Sequence, residues 1–442
     1  MEDHSEFAES QPPASALAAE SETSGRPRPV PKSGNLALTK KTVQTLALLA
    51  LIGLVGVFLL FALDQMVQNT DGDWDFIGLY TAGKIVQQGA ARRLYDVSLQ
   101  KAVERSFLPH GQFFPLDHPP FEAWLCLPLA WFSFSQAFMI WGGLNLLLFG
   151  LVLYLFPRTG FRLETTGLLV WLAACVPLFA GVLLLGQDTI LILPAFILAF
   201  LELKKSKDYT AGLVLGLGLF RFEIMFPFLF IFLLRRRWKV LAGFSISSLV
   251  ALLASLALVG WSGLLDYAKV LSEVGRATGS QANGVNVATM PTLRGAAATF
   301  LGGMIPSQFL FPLVLLGTFA LLGWAAWEFK NIAKPETQAF DLEFSFAVVA
   351  AMFASYHLFV HELTPLIFIG FIILSYEGSF PREGILGNRR ATALLLIFAA
   401  VYGVGGAVFH FRAFSVVSIV LLGMMVWLSQ ELSAVRRSQQ LT

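Results

Sequence analysis

Apolar residues run along this chain in long blocks divided by short polar joints, and the block lengths set the first expectation. The first block covers roughly 43–63, about 20 residues, the length that crosses a bilayer rather than the shorter core of a signal peptide. Lys32, Lys40 and Lys41 precede it and Asp71, Asp73 and Asp75 follow it. Basic residues near span ends are retained in the cytoplasm, so the N-terminus is expected inside and the next segment outside. Further apolar segments recur near 119–133, 136–156, 166–184, 188–203, 209–234, 238–260, 308–328, 342–360, 363–376, 391–409 and 413–429. Some of these fall below the roughly 17 residues of a full crossing, which makes 119–133 and 363–376 candidates for tilted or half-crossing pieces. The pattern therefore predicts an all-α polytopic membrane protein with about 11–13 membrane segments.

Three stretches do not fit a span. Residues 1–38 are rich in Ser, Glu, Pro and Ala and lack apolar periodicity, the composition of a disordered cytoplasmic tail. The outer loop 67–118 has helix-like apolar spacing over Phe76 to Val86 and Tyr95 to Phe107, which predicts short amphipathic helices there. A second loop, 261–306, holds Arg276, Gln281, Asn283, Asn286 and Arg294 among small residues. The membrane domain is read as 39–434, with 435–442 a polar C-terminal tail.

Arg221 and Glu223 interrupt the apolar run 210–234, and charges at mid-membrane are costly unless they face protein or water. A helical hairpin resolves the conflict. Lys204, Lys205 and Lys207 stand before the run and Arg235, Arg236 and Arg237 after it, so a turn at Arg221 keeps both basic clusters inside and puts Arg221 at the outer end. A straight crossing would strand one cluster outside.

Composition agrees with lipid as the solvent: 56% of the residues are apolar, 14% are charged and the mean hydropathy is +0.68, against about 25% charged in soluble domains. A net charge of +2 offers no basic stripe for nucleic acid, which is excluded as a partner. Cys126 and Cys175 lie in apolar runs without CxxC spacing and read as buried thiols. The sequence contains no GxxxxGK[ST], HExxH or GxSxG motif, which removes support for ATP-driven transport, zinc proteolysis and α/β-hydrolase chemistry. The candidate chemistry therefore rests on polar residues at membrane edges. Asp75 stands just beyond the first span, where it would serve either as a general base or as the cap of a helix beginning near Phe76.

The succession DWDFIGLYTAGKIVQQGAARRLYDVSLQ, then FFPLDHPPFEAWLCLPLAWFSFSQAFMIWGGLN, then GQDTILIL, resembles glycosyltransferase family 87, a polyprenol-phosphate-mannose-dependent group of the GT-C type, over about 70–240. The resemblance implies that Asp75, in the first outer loop, is the catalytic base. Tyr80, Ala82 and Gly83 match the family's downstream pattern, and Leu94, Tyr95 and Asp96 its LYD element. A Lys-Pro common at the family's hairpin tip is replaced by Arg221 and Phe222, which keeps the charge and loses the turn residue. The cluster SYHLFVHELTPL extends the likeness weakly into the C-terminal third.

The resemblance implies an inverting transfer of a hexose, with mannose expected, from a polyprenyl-phosphate-linked sugar donor to a lipid or glycan acceptor. The setting is the outer face of a bacterial plasma membrane, and the lipid bilayer is the protein's surroundings. One carboxylate suffices as base, and the leaving phosphate calls for a cation rather than an acid. Arg221 suits that phosphate; the alternatives are snorkelling to the interface or pairing with Glu223. His357 and His361 stand four apart and would share a face if helical, with Glu362 next, but the spacing lacks the intervening Glu of HExxH, so no metal and no cofactor is expected. Both histidines, and His118 before Pro119 and Pro120, read as donor or acceptor ligands or as satisfied core imidazoles. Gln187 and Asp188, after Gly186, read as substrate contacts or as a helix cap. Tyr80 joins the candidate binding set. The competing class, a transporter or lipid-handling protein without transferase chemistry, lacks the matched repeat halves that transporters show.

Overall fold

The computed structural model describes residues 75–109, 113, 115–163, 165–276, 287–330, 337–376, 392–398 and 415–441, with single positions between 45 and 60. The expected tail 1–38, most of the first span at 43–63 and most of the segment 391–409 lie outside these residues. Helices account for the fold, and the described residues contain no strand. In chain order they are α1 Phe76–Gln87, α2 Val97–Phe107, α3 Phe134–Leu155, α4 Thr165–Leu185, α5 Ile192–Lys204, α6 Asp208–Leu215, α7 Phe222–Leu234, α8 Trp238–Arg276, α9 Leu293–Leu301, α10 Ser307–Glu328, α11 Gln338–Ala354, α12 Pro365–Ser375 and α13 Ser415–Leu441.

Among the described residues six segments are long and apolar enough to cross a membrane: Phe134–Thr159, Gly167–Leu185, Asp208–Leu234, Trp238–Glu273, Gln308–Glu328 and Ser415–Ser438. The chain is an all-α polytopic membrane protein. Length and composition do not decide the path of two of these segments. A straight helix over Asp208–Leu234 would be about 40 Å long, yet the Arg237 guanidinium donates to the Asp208 carboxylate at 2.5 Å. The segment therefore folds back on itself. Its first limb is α6 with the 3-10 turn Gly216–Arg221, its return limb is α7, and the backbone leaves helical geometry at Arg221 (φ −119°, ψ 60°). Ser247 Oγ donates to the Leu213 carbonyl at 2.8 Å, fixing α8 beside the rising limb.

Gly260 divides α8, because its φ of 69° with ψ of −179° belongs to no helix and is open only to glycine without strain. The straight part before it carries exposed Ile246, Leu249, Val250, Leu252 and Leu253, a face suited to lipid, between the exposed rings of Trp238 and Trp261. The part after it turns onto the first loop: Tyr267 packs on Tyr95 with ring centroids 5.1 Å apart, among Leu94, Val103, Leu258 and Val259. The second loop thus joins the first at one end of the molecule. α9 belongs to the same end, since Arg294 donates to the Tyr356 carbonyl at 3.2 Å and lies over that ring at 4.0 Å.

The opposite end is basic. Lys204, Lys205 and Lys207 leave α5 there, and Arg235, Arg236 and Arg237 turn the chain into α8. Lys204 pairs with Asp341 at 2.5 Å, the Tyr376 hydroxyl donates to the same carboxylate, and Arg436 reaches both Glu328 and Glu343 at 2.6 Å. The segment expected as a polar tail is continuous with α13, and its Arg436 makes these last contacts. Between the two ends the core is built of phenylalanines packed edge to face, with Phe200 against Phe344 at 5.0 Å and Phe368 at 5.3 Å, and Phe228 against Phe196 at 5.1 Å. In lipid such shape-matched contact, rather than exclusion of water, holds helices together.

Two of the expected segments have other shapes. Residues 119–133 form short broken turns, Pro120–Glu122, Ala123–Cys126 and Leu127–Trp131, because Pro119, Pro120 and Pro128 cannot sustain one helix. The segment expected at 342–360 ends early, because α11 stops at Ala354 and an irregular stretch at 355–364, facing the loop end, precedes α12. Of the two helices expected in the first loop, α2 is amphipathic, whereas α1 is buried on nearly every side.

Candidate active site

Asp75 occupies the N-cap position of α1, yet its side chain accepts no hydrogen bond from the helix. Asp96 shows what a capping Asp does in this loop: its carboxylate accepts from Ser98 N at 2.9 Å and Leu99 N at 3.2 Å. Asp75 instead accepts from the side-chain amide of Gln187. The cap alternative for Asp75 is therefore not the role it fills.

Gln187 follows a turn that the sequence fixes tightly. Gly186 ends α4 with φ of 68°, and a Cβ on it would lie 2.6 Å from Phe76 Cβ. Only glycine lets the turn press against the start of α1. Trp141 Nε1 donates to the Gly186 carbonyl at 2.8 Å and Asn145 Nδ2 to the Gln187 carbonyl at 3.0 Å, so α3 pins the backbone. With its amide N–H used on Asp75, Gln187 accepts from Arg221 through Oε1 at 2.9 Å. One side chain links the first loop to the hairpin tip.

Arg221 is buried among acids. Its guanidinium pairs with Asp188, lies 2.8 Å from Glu362 and stands 3.7 Å from Glu223. Nε has no protein partner. Asp188 begins the 3-10 turn Thr189–Leu191 without capping it, so its carboxylate, like that of Asp75, is committed elsewhere. Glu362 also accepts from Phe359 N at 2.5 Å, which anchors the irregular stretch between α11 and α12. Thr189 Oγ1 donates to the His361 carbonyl at 3.0 Å and Thr364 Oγ1 to the Thr189 carbonyl at 2.9 Å, clamping the two loops together.

His118 enters from the first loop, held by the Tyr95 hydroxyl on its carbonyl at 2.7 Å. Its Nδ1 lies 2.7 Å from Glu122 and 3.8 Å from Asp188. Burial alone would disfavour the imidazolium, but the charge and hydrogen bond of Glu122 and the charge of Asp188 outweigh it and raise the His118 pKa. His361 is the opposite case, since burial dominates and lowers its pKa. Its ring lies against Phe359, 5.8 Å between centroids, within the field of Asp75, Glu362 and Arg221.

Of the residues singled out in the sequence, Asp75, Gln187, Arg221, His118 and His361 thus meet in one region. Two do not join it. The Tyr80 hydroxyl donates to the Phe132 carbonyl at 2.8 Å and its ring packs on Phe107 and Phe134, a structural placement. His357 lies before the turn Val360–Glu362, so it shares no helix face with His361; its ring meets Phe359, and its Nδ1 is buried without a partner. Sequence reasoning missed Glu122 and did not connect Asp188 and Glu362 with Arg221. The signal was an acid inside or beside an apolar run, which is as costly as the Arg that did draw notice.

The arrangement offers a carboxylate at the loop end of the bundle, backed by an amide and a guanidinium whose geometry is locked by three other acids. Neither the curated proteins nor the solved structures give a match. The model of glycosyltransferase family 87 matches residues 117–355, which includes His118, Glu122, Gln187, Asp188 and Arg221 and stops short of Asp75 and Glu362. That match takes in more than half of the 442 residues, and the chain belongs to glycosyltransferase family 87.

Proposed function

We propose that this membrane glycosyltransferase moves a hexose, with mannose the expected sugar, from a polyprenyl-phosphate-linked donor to a hydroxyl of a lipid or glycan acceptor, with inversion. Asp75 takes the acceptor proton as that oxygen attacks the anomeric carbon, and the lipid phosphate leaves. The observation that carries this reading is the Asp75 carboxylate, withheld from capping α1 and oriented by Gln187. A base must be held at a fixed angle to be effective, and the bond to Gln187 supplies that. Arg221 contributes in two ways: through Oε1 of Gln187 it fixes the amide, and its positive charge beside Asp75 favours the departing phosphate.

The basic end, with Lys204, Lys205, Lys207, Arg235, Arg236 and Arg237, faces the cytoplasm of a bacterial cell, as the charge bias of membrane proteins favours. The site then opens toward the outer face, at the depth of lipid phosphates. Family membership leaves the transporter alternative without support. Incubating the purified protein in nanodiscs with radiolabelled polyprenol-phosphate sugars and a membrane lipid extract tests the reading. Label moving from the mannose donor into an acceptor supports it, and no transfer from any such donor by folded protein rejects it.

A further inference from the structure

The acids around Arg221 outnumber the bases. Asp75, Glu122, Asp188, Glu223 and Glu362 surround two basic side chains, Arg221 and His118. Such an excess of buried negative charge must be offset by protons or by a cation. Two carboxylates that pair with His118 and Arg221 through one oxygen leave the other without a partner. Oε1 of Glu122 and Oδ2 of Asp188 are buried with no hydrogen-bond partner, on side chains 3% and 2% exposed. A small cavity lies against both carboxylates, walled by Leu79, Cys126, Trp141 and Phe220.

We propose that His118, Glu122 and Asp188 form a binding site for a divalent cation. One ligand atom from each of the three lies within 4.8 Å of the others. Ligand atoms at about 2.1 Å from one ion stand roughly 3–4 Å apart. The His118 to Asp188 separation of 3.8 Å already meets this, and the His118 to Glu122 separation of 2.7 Å widens as the ion replaces the proton between them. The donor set of one imidazole nitrogen and two carboxylate oxygens suits a hard or borderline ion such as Mn²⁺. Arg221 holds Oδ1 of Asp188 and leaves Oδ2 free, so the guanidinium orients the ligand without occupying its coordinating position. The ion takes the place of the proton on His118, which is released to solvent. Three protein ligands leave further positions to water, and the cavity beside Glu122 and Asp188 has room for one.

No local motif announces this site, since His118 and Asp188 are far apart in sequence and meet only through the fold. It does not depend on which sugar is transferred. The full chain in detergent, stripped with EDTA and then exposed to Mn²⁺, is read by metal analysis and by pulsed electron paramagnetic resonance. The expected result is one Mn²⁺ per chain with coupling to a single ¹⁴N nucleus. His118→Gln removes that coupling, and Asp188→Asn weakens binding by about tenfold or more. The wild-type spectrum needs no variant to fold: absence of stoichiometric Mn²⁺ at millimolar concentration, or bound Mn²⁺ without nitrogen coupling, overturns the proposal. Glycosyl transfer is scored separately, so protein that transfers sugar yet fails to bind stoichiometric Mn²⁺ defeats this site and leaves the transferase reading intact.

Discussion

The guanidinium of Arg237 meets the carboxylate of Asp208 at 2.5 Å and joins the two feet of a hairpin whose tip is Arg221. A cysteine at Lys207 and another at Lys239, both exposed positions flanking these feet, are therefore expected to react with an impermeant maleimide from the same side of the membrane. A cysteine at Ser98, in the first loop, reacts from the other side. Labelling of Lys207→Cys and Lys239→Cys from opposite sides would mean that the segment crosses straight.

Asp75→Asn keeps an oxygen for the Gln187 amide and removes the base. Turnover is expected to fall by at least about 10², the lower range for general-base catalysis, with donor binding little changed. Near-normal transfer by the folded variant would remove Asp75 from the chemistry.

Gln187→Leu breaks both links, to Asp75 and to Arg221, without adding charge. If Gln187 positions the base, kcat drops by up to about 10²-fold while KM for the donor holds. A rise in KM at constant kcat would instead make Gln187 a direct donor contact.

Arg221→Met leaves Asp188 and Glu362 as buried, uncompensated anions, a loss of about 3–5 kcal/mol for a broken buried pair. Thermal unfolding in detergent should register a large drop. Adding Glu362→Gln to the same chain removes one of the stranded charges and should recover part of it; an additive, further loss would show that Glu362 is not balanced by Arg221.

Gly186→Ala places a methyl group into Phe76 and forces a left-handed φ on an L-residue. A cost of at least about 1–3 kcal/mol is expected from the backbone alone. The melting midpoint should fall, and transfer should weaken with it because the turn carries Gln187. A variant as stable and active as the parent would contradict the packing described.

The sequence exposed what depends on averages along the chain and concealed what depends on contacts across it. Helix class and membrane character follow from block length, and the fold-back at Arg221 follows from basic clusters on both sides of one charged interruption. The segment 119–133 looked like part of a span because Phe121, Trp124, Leu125, Leu127 and Leu129 dominate its hydropathy, although its prolines decide its shape. Glu122 vanished into the same average. Glu362 was visible only as the neighbour of His361, and nothing in the spacing of residues 188, 221 and 362 indicates that their side chains meet. His357 and His361, a suggestive pair on paper, both lie beyond the end of α11 at Ala354, which the pattern placed too far along, and so share no helix face.

The exposed indoles of Trp238 and Trp261 bracket a straight rise of about 34 Å, slightly more than the roughly 30 Å hydrocarbon layer of a typical membrane. The break at Gly260 holds that length constant, so α8 acts as a ruler that cannot stretch. In a thinner bilayer tilt relieves the mismatch of so long a span, and the first loop packed on Tyr267 tilts with it. The height of Asp75 above the headgroups is thereby coupled to membrane thickness. Transfer in vesicles of graded acyl-chain length should pass through an optimum, a dependence that arises from one glycine distant in sequence from every group assigned to the chemistry.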